Sequence, residues 1–261
     1  MKMKSKGAFL LVLVVVLLVV VSSRIAPEKA NSRWPVRPTD DPYMETETPQ
    51  PEIELPGTPP PVQNIRELLP DVSLSDWNLK LVNNYYVLGQ SFAPDVTEIG
   101  GGEYFESRAA EHLLAMIAAA EEAGHTVSIR AAYRPYSTQA YIFFGRASQI
   151  QWGTDMEMIE AEELARKVVA YPGTSEHQLG LAVDLMDSAE TEMDSQSAKD
   201  LPVLKWLTKH CAEYGFVLRY PADKEEITGW NEPWHFRYVG EECAKYMTEN
   251  NLCLEEFIAQ F

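Results

Sequence analysis

Ten of the 17 prolines stand between residues 24 and 64, three of them in a row at Pro59, Pro60 and Pro61. Around them lie scattered Asp, Glu and Thr and few large apolar residues. A segment so poor in core-forming side chains cannot offset the entropy of ordering, and it favours extended polyproline II. Residues 24–64 therefore read as a disordered spacer, and a compact domain must come from residues 65–261. Ahead of the spacer, Lys2, Lys4 and Lys6 precede an unbroken apolar run from Ala8 to Val21. That is the pattern of a charged n-region and an apolar h-region, so residues 1–23 are expected to be a signal peptide or signal anchor. No small-x-small cleavage site and no lipid-accepting cysteine follow Val21, which favours an uncleaved anchor. The lysines then place the bulk of the chain outside, in an extracytoplasmic location.

A hydrophobic content of 46% with 10% aromatic residues is enough for a real core. The formal charge of −17 excludes nucleic acid as a partner, because phosphate binding needs a cationic face and no Lys/Arg cluster supplies one. No internal repeat is visible, and a tethered monomer is the simplest expectation. The three cysteines, Cys211, Cys243 and Cys253, form no C-x-x-C pair. They read as buried structural thiols, with a Cys243 to Cys253 disulfide as the alternative.

Within the domain, residues 107–123 carry apolar side chains at 110, 113, 114, 117 and 120, and Gly124 follows. That spacing predicts a helix. Residues 125–133 alternate like a strand, and Pro135 with Ser137 opens a second helix through residue 150. Residues 156–170 read as a third helix and 181–186 as a strand. Residues 200–214 read as a helix with Asp200 as N-cap, Pro202 in the first turn and Gly215 at the end. Two further strands are expected at 216–221 and 235–239. Helices and short strands mix without regular βαβ alternation, so the expected class is α+β: a small, mostly antiparallel central sheet flanked by helices.

The stretch PGTSEHQLGLAVDL, residues 172–185, puts His177 and Asp184 on either side of Gly180 in small, apolar surroundings. Imidazole nitrogen and carboxylate oxygen are both zinc ligands, but a catalytic zinc usually takes three protein ligands and keeps one position open. Of the five histidines, His112 and His210 sit in amphipathic helices and His125 follows a helix-ending glycine. His235 is different: it opens a strand in NEPWHFRYVG, three residues after Glu232. A set of His177, Asp184 and His235 would leave a water position, with Glu232 able to take the water's proton. The competing reading makes Asp184 a turn cap, His177 a loop hydrogen-bonder and Glu232 a solvated acid. Spacing alone leaves both open.

SEHQLGLAVD resembles the S-x-H-x-x-G-x-A-x-D signature, and EPWHFRYVG the E-x-W-H partner motif, of VanY-type D-alanyl-D-alanine carboxypeptidases, zinc peptidases of bacterial cell walls. Further similar segments are LVNNYYVL, YRPYSTQ, YGFVLRYP, ITGW and LEEFI, so the likeness runs over about residues 65–258. The resemblance implies the compact zinc DD-peptidase fold shared with Hedgehog-like domains. It implies one zinc per chain, held by His177, Asp184 and His235, with Glu232 as general base. Arg134 would contact the substrate carbonyl and steady the oxyanion, and Ser175 and Gln139 would line the substrate pocket. One departure is visible: family members read S-G-Y-R-S before the glutamine, where this chain has Ala131, Ala132 and Pro135 around Tyr133 and Arg134. The expected activity is removal of terminal D-alanine from peptidoglycan stem peptides. An L,D-carboxypeptidase acting on tetrapeptide stems, a wall endopeptidase and a non-catalytic wall-binding module are the alternatives.

Overall fold

The computed structural model of the chain describes residues 69–261. The expected signal or anchor segment and the Pro-rich spacer lie outside the described residues. Among the described residues, no helix is long and apolar enough to cross a membrane.

In order, the elements are β1 (Val96–Gly100), β2 (Glu103–Glu106), α1 (Ala110–Glu122), β3 (Val127–Ala131), α2 (Tyr136–Gln151), α3 (Met158–Ala165) and β4 (Ala182–Asp187). There follow α4 (Ser195–Ala198), α5 (Pro202–His210), β5 (Phe216–Tyr220), α6 (Glu225–Thr228), β6 (Glu232–Tyr238), α7 (Glu241–Glu249) and α8 (Leu254–Ile258). β1 and β2 form an antiparallel hairpin, and the other four strands form one antiparallel sheet in the order β3-β4-β6-β5. This is the expected mixture: antiparallel sheets flanked by helices.

The sheet's two faces do different work because side chains alternate along a strand. Val183, Leu185, Phe216 and Phe236 enter the larger core, together with Leu113 and Met116 of α1. Burying that many large apolar side chains, at about 1.5–3 kcal/mol each, is the main force closing the domain. The opposite face carries Asp184, His235, Arg219 and Arg237, all buried. A smaller cluster of Leu79, Val217, Val239, Met247, Leu254 and Phe257 packs α7 and α8 beside it. A third, Phe143 and Ala147 against Ala161 and Ala165, joins α2 to α3.

Three expectations need correction, and one alternative is set aside. Asp200 does not cap α5: Leu201 occupies the cap, and Asp200, one residue too early to reach the first free N–H groups, pairs with Lys205 at 2.9 Å. The third helix stops at Ala165 rather than 170: its end tightens into turns in which the Lys167 N–H donates to Leu164 O and the Val168 N–H to Ala165 O, before the chain runs into Tyr171-Pro172. The helix expected over 200–214 tightens into a 3-10 turn at Cys211–Tyr214. It ends at Gly215, whose φ of +83° suits glycine and where a Cβ would stand 2.8 Å from the Tyr238 ring. The alternative Cys243 to Cys253 bridge is not formed; all three thiols are free and buried, and burial pushes Cys211 and Cys253 up to about 12 and Cys243 to about 11. The β1–β2 hairpin is an addition: its signal was the Gly100-Gly101-Gly102 turn, all at positive φ, between short alternating runs.

Candidate metal centre and active site

β4 and β6 pair so that Asp184 stands directly opposite His235. Such partners have Cβ atoms about 4.5–5.5 Å apart, so two residues 51 positions apart in sequence become neighbours by register alone. His177 arrives from a 3-10 turn, Glu176–Leu179, that Gly180 ends in the left-handed region at φ +70°. A Cβ on Gly180 would press on Pro94 at 3.2 Å and on the Glu106 amide at 3.3 Å, so this position needs glycine for space as well as for conformation. The end of β3 secures the turn: the Arg134 N–H donates to His177 O at 3.0 Å, and His177 Nδ1 donates to Ala132 O at 2.8 Å.

A carbonyl can only accept, so His177 carries its proton on Nδ1 and turns a bare Nε2 toward Asp184 Oδ2, 3.3 Å away. His235 Nδ1 lies 3.0 Å from Asp184 Oδ1. The ligand atoms of His177, Asp184 and His235 lie within 4.8 Å of one another, and all three residues are buried. Tetrahedral ligands at 2.0–2.2 Å from zinc stand roughly 3.3–3.6 Å apart, close to the 3.3 and 3.0 Å that separate the two imidazoles from the Asp184 carboxylate. Asp184 Oδ1 is moreover buried without a hydrogen-bond partner among the described residues, and a cation would satisfy it. Two imidazoles and one carboxylate are a donor set that suits zinc, and the residues fit the metal.

Electrostatics point the same way. Burial lowers the pKa of His177, with Arg134 adding to the effect and Asp184 opposing it, which keeps the ring neutral as a ligand must be. Burial would also lower His235, but the Asp184 and Glu176 carboxylates reverse this and push it up to about 9. Burial would raise Asp184, yet the two histidines hold it well below the usual carboxylate range. A cation entering here would displace a proton from His235, so its affinity would rise with pH.

Glu232 Oε2 lies 3.5 Å from His235 Nδ1, on the ligand side of that ring. Burial pushes its pKa up to about 7, helped by Asp184 and opposed by His235 and Arg134. A divalent cation nearby favours the carboxylate form. Arg134, whose Nε is buried without a hydrogen-bond partner among the described residues, lines the same cleft of about 270 Å³. Ser175 and Gln139 line it too; Gln139 Nε2 donates to Ala170 O at 2.6 Å and its Oε1 has no hydrogen-bond partner among the described residues. All seven site residues singled out from the sequence thus line one cleft, with Trp230, Trp234, Tyr220 and Met193 on its walls. His112, His125 and His210 lie elsewhere, against Tyr238, Trp206 and Glu213 respectively.

Sequence reasoning missed the charged layer beneath the ligands. Glu176 Oε1 accepts from Arg219 Nε at 2.8 Å and Arg237 Nη1 at 2.7 Å. Glu255 of α8 grips the other end of the Arg219 guanidinium with both oxygens, at 2.8 and 2.6 Å. Burial would raise Glu176, but Arg219 and Arg237 hold it well below the usual range. The signal was there to be read: an arginine in each of two apolar strand runs, FVLRYP and HFRYV, is buried only when paired.

The sequence profile of the VanY family, described as D-alanyl-D-alanine carboxypeptidase, matches residues 102–241. The chain belongs to the VanY family. It is 35% identical over 190 residues to the putative carboxypeptidase YodJ of Bacillus subtilis, covering 69% of this chain and 66% of YodJ. It is also 35% identical over 184 residues to a D-alanyl-D-alanine carboxypeptidase of Enterococcus faecalis, covering 70% of this chain and 66% of the relative. In both cases the match spans just under two thirds of the relative's own length. Among solved structures, a mutant of the vancomycin resistance D,D-pentapeptidase VanY in complex with Zn(II) superposes with a TM-score of 0.61 at 34% identity, covering 70% of this chain and 99% of that one. The LD-carboxypeptidase LdcB superposes with a TM-score of 0.59 at 34% identity, covering 69% of this chain and 84% of that one. The VanY profile takes in His177, Asp184, Glu232 and His235 and stops before α8, so Glu255 lies beyond it.

Proposed function

We propose that the chain is a zinc-dependent carboxypeptidase that removes the C-terminal D-alanine from peptidoglycan stem peptides ending in D-Ala-D-Ala. The observation that carries this reading is the convergence of His177, Asp184 and His235 with Glu232 and Arg134 in one cleft. His177, Asp184 and His235 would hold one zinc per chain. Zinc bound there supplies Lewis acidity, acidifying a water and polarising the peptide carbonyl. Glu232 accepts the proton of the attacking water and returns it to the departing amine as the peptide bond breaks. Arg134 donates to the carbonyl oxygen as negative charge develops on it, in a buried setting that strengthens the interaction. No covalent intermediate is required, and Ser175 serves to line the pocket rather than to attack.

Arg134→Ala should keep its zinc and lose about 10²- to 10³-fold in kcat, the cost of one oxyanion donor. Elemental analysis beside steady-state kinetics checks both halves. Equal loss of metal would make Arg134 a structural support instead.

The likeness to LdcB favours one second reading, L,D-cleavage of tetrapeptide stems by the same chemistry. Mass spectrometry of defined penta- and tetrapeptides, with and without a chelator, decides between them. The expected result is D-alanine and tetrapeptide from the pentapeptide, abolished by the chelator and restored by zinc. Cleavage of the tetrapeptide alone would establish the L,D reading, larger fragments would identify an endopeptidase, and no product at all would leave a wall-binding module. Residues 1–23 as anchor and 24–64 as spacer would hold such an enzyme within reach of the wall outside a bacterial membrane.

A further inference from the structure

Glu176 has one committed carboxylate oxygen and one that is not. Oε1 accepts from both Arg219 and Arg237. Oε2 is buried with no hydrogen-bond partner among the described residues, and it faces His235 Nε2, equally buried and equally without one, at 3.5 Å. The other nitrogen of that ring, Nδ1, is turned to Asp184 and Glu232 on the ligand side.

We propose that Glu176 is the positioning residue of His235: it holds a proton on Nε2 and so presents a bare Nδ1 to the metal. The inference rests on the reading of His235 as a zinc ligand. A ligating histidine commonly donates its second N–H to a carboxylate, which fixes both tautomer and ring orientation. Here the carboxylate is itself immobilised. Arg219 is gripped from behind by Glu255, while Arg237 Nη2 donates to Asn78 O at 3.0 Å and Lys80 O at 2.9 Å. His177 has the matching arrangement, its second nitrogen donating to Ala132 O. Both imidazoles are thus set from behind, one by a backbone carbonyl and one by a buried acid.

The test must separate this role from that of a plain counter-ion to two arginines. In Glu176→Gln only the amide oxygen can accept from the guanidiniums, so the amide NH2 is left facing Nε2. A donor there demands a bare Nε2 and moves the proton to Nδ1, toward the metal. Zinc affinity of the purified full-length chain, measured by chelator competition, should fall about 10- to 100-fold. Long-range proton–nitrogen spectra with isotope-labelled histidine should show Nε2–H on His235 in the zinc-loaded parent and a loss of that tautomer in the variant. A counter-ion alone would change stability without changing the tautomer. If the variant does not fold, the parent spectrum decides: Nε2–H with metal at Nδ1 supports the proposal, and metal at Nε2 overturns it. Unchanged affinity and tautomer in a folded variant would also overturn it. A parent chain that takes up no zinc would instead overturn the ligand assignment beneath it.

Discussion

Glu232→Gln should hold zinc as firmly as the parent chain and lose about 10²- to 10⁴-fold of turnover. Glutamine keeps the shape of the side chain but cannot accept a proton. Glu232 contributes no atom to the three-residue ligand cluster, although its Oε2 comes within 3.5 Å of His235 Nδ1. A loss of that size corresponds to roughly 2.7–5.4 kcal/mol of transition-state stabilisation, far more than a disturbed surface hydrogen bond could account for. Zinc content by elemental analysis, read beside kcat on a pentapeptide ending in D-Ala-D-Ala, checks both parts. Near-normal turnover would remove Glu232 from the chemistry. Loss of metal would make it a fourth ligand.

His235→Ala should fail differently, losing metal and activity together. If His235 is one of three protein ligands, its removal leaves Asp184 and His177 alone, and it strips the Asp184 carboxylate of one of the two imidazoles that stabilise its charge. The fall in zinc affinity should exceed the 10- to 100-fold that loss of an outer partner costs, so it should be larger than about 100-fold by chelator competition. Excess zinc should not restore turnover. A variant that kept stoichiometric zinc would show that the metal takes other ligands.

The contrast between what could and could not be read from the sequence follows from the range of each interaction. Helix α1 was legible because its apolar spacing and its terminating glycine are local. The strands around Asp184 and His235 were legible as apolar runs, and the three clustered residues His177, Asp184 and His235 could be picked out through the motifs that contain them. Their meeting was not legible from spacing, because the Asp184 to His235 pairing depends on the register of two strands far apart in sequence. In the layer of Glu176, Arg219, Arg237 and Glu255 the two arginines left a local signal, as charges in apolar strand runs, but which acids they meet depends on the sheet that brings them together. Asp200 erred on a finer scale, where a shift of one residue separates a cap from an exposed ion pair.

The cross-strand placement of Asp184 and His235 would also make a bound zinc an inspector of the sheet. If β4 slipped by one residue against β6, Val183 or Leu185 would come opposite His235, and Asp184 would turn into the apolar core. Such a chain could still be compact, but it could not gather three donors around one ion. Zinc uptake would therefore discriminate between correctly and incorrectly paired copies of the same polypeptide, and it would shift the population toward the correct one by mass action. The ion that would serve the chemistry would also certify that the strands beneath it are in step.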